Sequence, residues 1–405
     1  MPLFESLEPL PPMQKFQLIE QYLADRRPEK ILAATGAYKN ERAETPLFEC
    51  VRIAEDRLRE RGPLRDYLEP AGYLPFREAM QRLLSCSEPQ STWGETAPQF
   101  DWSIRTIHTP GGTAALRLGA DLLNSARPGK TIWVSEPTWG NHRKVFQSAG
   151  LAVKTYPYPV ENGLLDVDQL LASIEAIPGG DVLMLQASTH NPTCIDLTIE
   201  NWRQLAAIVA RRELVPFFDV AFFGFTDGLR EDLAGFRTIL ATDCEAIVAT
   251  SLSKSFALYN RRVGTLSIIG TTDAAAENAF QHARHLVRAN YSNPPLEGAA
   301  LVAEILTDQH LFSIWERELE RIRARMRRCR EEITRLLCEN GVARDLSCIT
   351  RERGLFSRLD VTPEHTERLR IKQAIYLSPT GWFNVTAIAD NQIDRFCRSV
   401  GECLR

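Results

Sequence analysis

Val215-Pro-Phe-Phe-Asp219 and Ala246-Ile-Val-Ala-Thr250 are short apolar runs, and Thr131-Ile-Trp-Val-Ser135 and Val182-Leu-Met-Leu-Gln186 repeat the pattern. Helical patterns such as residues 199–211 separate these runs. Buried strands that alternate with helices predict βα units in an α/β fold with a mostly parallel sheet. Ligands bind such sheets at the carboxyl ends of the strands. We therefore expect the polar residues that follow the four runs to gather at one edge of the sheet.

The order of these patterns predicts two domains. A chain of 405 residues is long for a single core. Residues 45–315 are predicted to form a large domain whose sheet is flanked by helices, and residues 316–405 a smaller α+β domain. Residues 1–44 are predicted to form an N-terminal arm and the start of the small domain. A long helical region is expected over residues 297–340, followed by an alternating segment and a final helix.

Composition excludes several classes of function. The net charge of −4 argues against a nucleic-acid partner. The basic run at 317–330 is interleaved with acids at helical spacing, which is typical of a solvated helix face. No run of about 18 apolar residues is present, so no membrane span is expected. The nine cysteines are scattered without a Cys-x-x-Cys pair, which favours reduced thiols in a cytoplasmic protein and no metal site.

Lys254 is the strongest candidate for a catalytic residue. It follows a buried strand and stands between Ser251, Ser253 and the more distant Arg262. Desolvation near other cations lowers the pKa of a lysine amine and lets it attack an aldehyde as the free base. Hydroxyls and an arginine suit a phosphate. These residues predict a Schiff base between Lys254 and pyridoxal 5′-phosphate (PLP), which carries both an aldehyde and a phosphate.

A glycine turn provides a second anion site. In Thr109-Pro-Gly111-Gly112-Thr113 the glycines open a predicted helix. Backbone N–H groups and the positive end of the helix dipole then face an anion. Such a turn is common, and it becomes specific only in combination with the lysine segment.

Three further residues have both a structural and a functional interpretation. Asp219 could be a turn residue, or it could hold a pyridinium nitrogen protonated and so make the ring an electron sink. Asn191 could initiate a turn before Pro192, or donate to a ring oxygen. Trp139 could be a half-buried core aromatic, or stack on a flat ring.

Taken together, these segments resemble the aspartate aminotransferase family, the fold type I PLP enzymes of aminotransferase class I. The lysine segment, His190-Asn191-Pro192-Thr193 and Arg288-Ala-Asn-Tyr-Ser-Asn-Pro-Pro carry the resemblance, which covers practically the whole chain. It implies the fold type I architecture, with a large PLP-binding domain and a smaller α+β domain.

The resemblance also implies roles for individual residues. Lys254 would form the Schiff base and move the proton at the substrate Cα, and Asp219 would bind the pyridine nitrogen with His142 behind it. Asn191 would bind the ring hydroxyl, and Trp139 would stack on the ring. The residues implied for the phosphate are Gly111, Gly112, Thr113, Ser251, Ser253 and Arg262.

Two residues would act on the neighbouring subunit. Tyr67 would reach the neighbour's phosphate, and Arg288 would contact the distal carboxylate of the neighbour's substrate. A homodimer with two shared active sites follows. Gly36 is a further predicted contact of the small-molecule substrate.

The most informative departure from the family pattern is Trp382. The family presents an arginine there that clamps the substrate α-carboxylate, whereas this chain reads Thr380-Gly381-Trp382-Phe383-Asn384-Val385. An indole cannot replace a bidentate guanidinium. Carboxylate binding could have moved to another arginine, such as Arg358 or Arg261. Trp382 could instead attract a cationic substrate.

Other departures lie close to the predicted cofactor. Phe222 stands where the family usually has a tyrosine that donates to the ring oxygen, so we expect the Schiff base to stay protonated to higher pH. Gln186 replaces a histidine that usually backs the aspartate. Cys194 replaces a glycine. We favour the interpretation of Cys194 as a small buried residue over its interpretation as a reactive thiol.

Two functions remain open at this point. The first is a PLP-dependent aminotransferase that acts at Cα of an amino-acid-type substrate, through an external aldimine and with atypical substrate recognition. The alternative is a PLP enzyme of specialised metabolism that catalyses β- or γ-elimination, replacement or cyclisation, on a substrate such as S-adenosylmethionine.

Overall fold

The computed structural model of the chain describes residues 4–10, 13–62, 66–85, 103–342 and 346–404. Its strands are β1 (Ile31–Leu32), β2 (Ser103–Thr109), β3 (Thr131–Glu136), β4 (Ala152–Pro157), β5 (Val160–Glu161), β6 (Leu164–Leu165), β7 (Val182–Gln186), β8 (Val215–Val220), β9 (Ala246–Ser251), β10 (Gly264–Gly270), β11 (Phe356–Arg358), β12 (Ile375–Tyr376) and β13 (Trp382–Asn384).

The helices surround these strands. They are α1 (Gln14–Ala24), α2 (Glu49–Arg61), α3 (Leu74–Ser85), α4 (Gly112–Ala126), α5 (His142–Ser148), α6 (Val167–Glu175), α7 (Ile199–Arg212), α8 (Leu229–Leu240), α9 (Asp273–Asn290), α10 (Leu296–Thr307), α11 (Gln309–Glu339), α12 (Ser347–Arg351), α13 (Pro363–Gln373) and α14 (Ile393–Leu404). No helix among the described residues is both long and apolar enough to span a membrane.

A seven-stranded sheet in the order β2-β10-β9-β8-β7-β3-β4 forms the centre of the fold. The neighbours from β4 to β9 pair in parallel, and β10 runs antiparallel to both β9 and β2. The four apolar runs of the sequence form β3, β7, β8 and β9, so the predicted mostly parallel sheet is confirmed.

Helices cover both faces of this sheet. On β8, Phe217 faces α5, where it contacts Phe146, whereas Phe218 faces α7 and α8, where it contacts Trp202 and Phe236. Successive strand residues point to opposite faces. A central strand with helices on both sides must therefore be apolar throughout, which is why the runs show no alternation.

The C-terminal part is built on α11, which ends at Glu339. The predicted helical region 297–340 consists of two helices, because Asp308 separates α10 from α11. The Asp308 side chain accepts a hydrogen bond from the Leu311 amide at 2.9 Å and so caps the start of α11. β1 pairs with β12 in parallel, which joins the N-terminal segment to this part. The boundaries at 44 and 315 remain predictions.

A glycine in β10 fixes how closely the glycine turn approaches the sheet. A Cβ at Gly264 would lie 2.6 Å from the Thr250 carbonyl oxygen, 2.7 Å from the Gly111 carbonyl carbon and 2.9 Å from the Gly112 nitrogen. All three are backbone atoms, so no side chain can move away to make room.

We expect Gly264→Ala to lower the free energy of unfolding by roughly 1–3 kcal/mol, because overpacking forces the backbone apart. Urea denaturation followed by fluorescence measures this. Gly140→Ala is the control, since a Cβ at Gly140 meets no atom within 4 Å. Equal stability of the two variants would contradict the prediction.

Candidate active site

Lys254 lies in the turn that follows β9, at the carboxyl end of that strand. Its Nζ is 4.8 Å from the centroid of the Phe222 ring. The turn is held by α11, where the Trp315 indole donates to the Ser255 carbonyl oxygen at 2.6 Å. The Ser255 hydroxyl donates in turn to the Phe223 carbonyl oxygen at 2.7 Å. The backbone of Lys254 is thereby fixed beside the segment that follows β8.

Asp219 is the end of a buried hydrogen-bonded chain. His142 is fully buried, and its Nε2 lies 3.1 Å from Asp219 Oδ2. Its Nδ1 lies 2.8 Å from the Thr138 hydroxyl. A carboxylate can only accept, so the proton of this contact is on Nε2. The arrangement holds the Asp219 carboxylate in an orientation in which it can bind a protonated ring nitrogen.

The glycine turn and Arg262 form an anion cradle that only glycines permit. Gly111 has φ +91°, and a Cβ there would lie 2.4 Å from Arg262 Nη2. A Cβ at Gly112 would lie 2.7 Å from the Ser251 Cβ. Arg262 Nη1 donates to the Ser253 hydroxyl at 3.3 Å. Helix α4 begins at Gly112, so its free N–H groups face the same place. Thr113 follows in its first turn and is exposed.

This cradle fits the phosphate of PLP. It combines a guanidinium, two hydroxyls and the start of a helix within contact of one another, which is the donor set that a phosphate dianion requires. Lys254, the predicted Schiff-base lysine, follows Ser251 and Ser253 closely in the chain. Lys254, Asp219 and the residues predicted to bind the phosphate therefore lie together at one edge of the sheet.

Gln186 braces the loop that carries Asn191. Its carboxamide accepts from the Asn191 amide at 2.9 Å and donates to the Asn191 carbonyl oxygen at 3.1 Å. Next to it, burial lowers the pKa of His190 to about 3, with a smaller contribution from the charge of His142. In the described part of the chain the Asn191 side chain has no hydrogen-bond partner, so its amide is available to a ligand.

Trp139 and Cys194 complete the cofactor side. The Trp139 ring packs edge-on against His142, with ring centroids 5.1 Å apart, and is half-buried beyond the end of β3. Cys194 is fully buried with φ +55°, a backbone conformation that favours glycine. Burial raises the pKa of its thiol. This supports the interpretation of Cys194 as a buried filler.

Three of the residues predicted to bind the substrate lie on β11 (Arg358), on β13 (Trp382) and in the loop around Gly36. The side-chain amide of Asn384 donates to the carbonyl oxygens of Thr35 and Ala37, at 3.1 and 2.8 Å. The Tyr259 hydroxyl accepts from the Tyr38 amide at 2.8 Å. Gly36 is thus held between β13 and the Lys254 turn.

Tyr67 and Arg288 both lie on the surface. The Tyr67 side chain is 94% exposed. Arg288 is also exposed and bonds the Ser292 hydroxyl near the end of α9. Both residues are therefore open to a partner.

Several site residues were missed from the sequence. Phe356 contacts Phe222 with ring centroids 6.3 Å apart, and Trp315, Tyr259 and Asn384 hold the surrounding segments. The one available signal was spacing, since Phe356 precedes Arg358 by two residues in an alternating segment.

Comparison with known proteins gives this fold and site a family. Residues 28–400 match the family model "Aminotransferase class I and II". The aspartate aminotransferase of Escherichia coli (strain K12) is 38% identical over 98% of this chain and 99% of that protein. The aromatic-amino-acid aminotransferase of Pseudomonas aeruginosa is 36% identical over 95% of each chain.

Solved structures agree. The aromatic-amino-acid aminotransferase from Burkholderia pseudomallei, covalently bound to pyridoxal phosphate, superposes with a TM-score of 0.94 at 35% identity and covers all of both chains. The chain belongs to the aminotransferase class I and II family. It is a PLP-dependent aminotransferase of fold type I, as the resemblance to the aspartate aminotransferase family implied. The elimination and cyclisation alternative is not favoured.

PLP supplies an electron sink for charge that develops at the substrate Cα. Residues of the chain would bind this cofactor and transfer the proton. Asp219, held by His142, would keep a proton at the pyridine nitrogen, and the cradle would hold the phosphate. Lys254 would carry the cofactor and accept the proton from Cα.

We expect Phe222→Tyr to shift the spectroscopic titration of the Lys254 Schiff base to lower pH. A phenol beside the ring oxygen stabilises the deprotonated Schiff base, whereas the Phe222 ring face favours the cation. An absorbance titration of the purified holoenzyme measures the midpoint. An unchanged midpoint in the variant would refute this role of Phe222.

Proposed function

We propose that this chain is a homodimeric amino-acid aminotransferase in which Arg358 binds the substrate α-carboxylate and Trp382 supports that arginine. The observation that carries the proposal is the register of β11 and β13. Arg358 lies directly opposite Trp382 in this antiparallel pair, and its guanidinium carbon is 6.0 Å from the centroid of the indole.

The strand geometry supports a position of the Arg358 side chain on the face of β11 that leads to the lysine. Residues two apart on a strand share a face, so Arg358 is on the same face of β11 as Phe356. The Phe356 ring contacts Phe222, and the Phe222 ring lies beneath Lys254 Nζ. A continuous series of contacts therefore leads from the Schiff-base lysine to the face that bears Arg358.

The other candidate arginine is already engaged. Arg261 donates to Glu55 at 3.0 Å and forms an ion pair with Glu297. Binding a substrate there would require both contacts to be broken. Arg358 has no carboxylate partner within 4 Å among the described residues, so its five N–H donors remain available for a bidentate pair.

The indole favours an arginine over a cationic substrate at this place. An aromatic ring face attracts one cation at a time, and the guanidinium of Arg358 lies over the Trp382 ring. Phe222, Phe356 and Trp382 give the substrate side an aromatic lining. This lining supports an amino acid with an aromatic side chain, as in the relatives named aromatic-amino-acid aminotransferases.

We expect Arg358→Gln to raise KM for L-phenylalanine, L-tyrosine and L-aspartate about tenfold or more, with the holoenzyme spectrum unchanged. A charge-assisted hydrogen bond contributes about 1.5–3 kcal/mol, and each 1.4 kcal/mol changes affinity tenfold. Steady-state kinetics with 2-oxoglutarate as acceptor give the values, and L-phenylalanine is expected to have the highest kcat/KM of the three donors.

Arg261→Gln is the matched control and should leave KM unchanged. The double variant Arg358→Gln/Trp382→Arg should recover part of the lost affinity, because it returns a guanidinium to the opposite strand. A wild-type KM in Arg358→Gln, or an effect confined to Arg261→Gln, would contradict the assignment.

The homodimer is proposed on the exposure of Tyr67 and Arg288. A tyrosine side chain that is 94% exposed makes few stabilising contacts within its own chain. The phosphate bound by a neighbouring subunit would give its hydroxyl a hydrogen-bond partner. A cytoplasmic location is also proposed, and it rests on the unclustered cysteines of the sequence.

Shared sites make a specific prediction for hybrids. Lys254→Ala and Arg288→Ala should each be poorly active alone with L-aspartate. A mixture allowed to exchange subunits should regain about a quarter of wild-type activity, since half of the dimers are hybrids with one intact site. Light scattering should give twice the chain mass of 45.7 kDa. Failure of the mixture to regain activity would argue against shared sites.

A further inference from the structure

A separate arginine-lined cavity lies between α11 and the large sheet. It has a volume of about 140 Å³. Arg323, Arg327 and Arg330 line it from α11, and Arg353 lines it from the segment after α12. Thr226, from the segment that follows β8, completes the opposite wall. None of these residues has a role in the site around Lys254.

One of the arginines is buried without an ion pair. Arg330 is 3% exposed, and its Nη2 donates to the carbonyl oxygens of Gly354 and Phe356 at 2.7 and 2.8 Å. Its Nε is buried and has no partner in the described part of the chain. No carboxylate of the described residues lies within 4 Å of this guanidinium. Burial lowers the pKa of Arg330, and the nearby charge of Glu352 offsets this effect only in part, so the folded chain carries a cost there.

The remaining arginines are available to a ligand. Arg323 donates to the Gly224 carbonyl oxygen at 2.8 Å and keeps its other donors. The side chains of Arg327 and Arg353 have no hydrogen bond or ion pair with any described residue. Two glutamates also line the cavity, Glu331 and Glu352. Burial raises the pKa of Glu352 to about 7, and two carboxyl groups cannot balance the four guanidinium charges of this lining.

We propose that this cavity binds a small phosphate-type dianion, either inorganic phosphate or the phosphate group of a small ester. Guanidinium groups bind the oxygens of a phosphate bidentately, and arginine is the residue that suits this geometry. A cavity needs about 10–15 Å³ of such volume to hold one water, so about 140 Å³ leaves room for a phosphate group.

The walls of the cavity are joined to the active-site loops. The Arg353 amide donates to the Cys194 carbonyl oxygen at 2.7 Å, three residues beyond Asn191. The hydroxyls of Thr226 and Thr189 are 3.0 Å apart. A dianion held by Arg353 and the α11 arginines would therefore fix the segment before β11 against the loop that carries Asn191.

The test is isothermal titration of the holoenzyme with inorganic phosphate, in a buffer without other oxyanions. PLP fills the cradle at Gly111, so that site does not compete. We expect one saturable site in the wild type and at least about tenfold weaker binding in Arg327→Gln/Arg353→Gln, whose substitutions are at exposed positions. Arg328→Gln/Arg335→Gln removes the same charge from exposed positions of α11 outside the cavity and should bind like the wild type.

The outcomes of this titration can be distinguished from those that test the role of Arg358 in binding the substrate α-carboxylate. Phosphate binding should be unchanged in Arg358→Gln, and its loss there would show that phosphate occupies the substrate site and would overturn the proposal. Absence of saturable binding in the wild type, or equal binding in Arg327→Gln/Arg353→Gln, would also overturn it. If the Arg358→Gln variant bound succinate, a dicarboxylate, but did not bind phosphate, the assignment of the cavity to phosphate would be overturned.

Discussion

The hydrogen bond from the Trp315 indole to the Ser255 carbonyl oxygen, at 2.6 Å, is the contact on which much of the site depends. Both partners are buried, so leaving either unpaired would cost about 1–3 kcal/mol. The bond fixes α11 against the turn of Lys254, and the stacking of Trp315 on Phe256, with centroids 4.3 Å apart, supports it. Farther along α11, Arg325 donates to the carbonyl oxygens of Lys39 and Asn40, and Arg330 to the segment before β11. One helix therefore positions the lysine turn, the Gly36 loop and the strand that bears Arg358.

The cofactor side and the substrate side of the site differ in how closely they follow the family pattern. Asp219, Lys254 and the glycine cradle retain it, and their contacts are buried and specific. Gln186 and Cys194 depart from it on the cofactor side, where Gln186 pairs with the Asn191 backbone and Cys194 is a buried filler. Phe222 and Trp382 depart from it along a series of contacts that also includes Phe356 and Arg358. A change along this series leaves the chemistry at Cα in place, because that chemistry requires only the lysine and the electron sink. It changes which molecule is held against them.

Local sequence patterns correctly predicted those parts of the fold in which all residues of a segment have the same environment. The central strands were correct because burial on both faces requires a continuous apolar run. The region at 297–340 is helical as predicted, but its division at Asp308 was not foreseen, since an aspartate can be a solvated helix residue or a cap and periodicity does not distinguish them. Gln186 was seen only as a missing histidine, whereas the structure shows its amide pairing with the Asn191 backbone. That role depends on a loop closing back on its own strand.

By itself the sequence determined the cofactor chemistry of this protein. A lysine after a strand, an aspartate after the preceding strand and two glycines at a helix start are local features, and the parallel sheet brings them to one edge. Only the tertiary structure gives a reason to prefer Arg358 over Arg261. In the sequence neither arginine has an acidic residue next to it, but Arg261 pairs with glutamates 206 and 36 residues away, whereas Arg358 stands in register with Trp382. The electrostatic partners of a charged side chain are set by long-range packing, and no local pattern contains them.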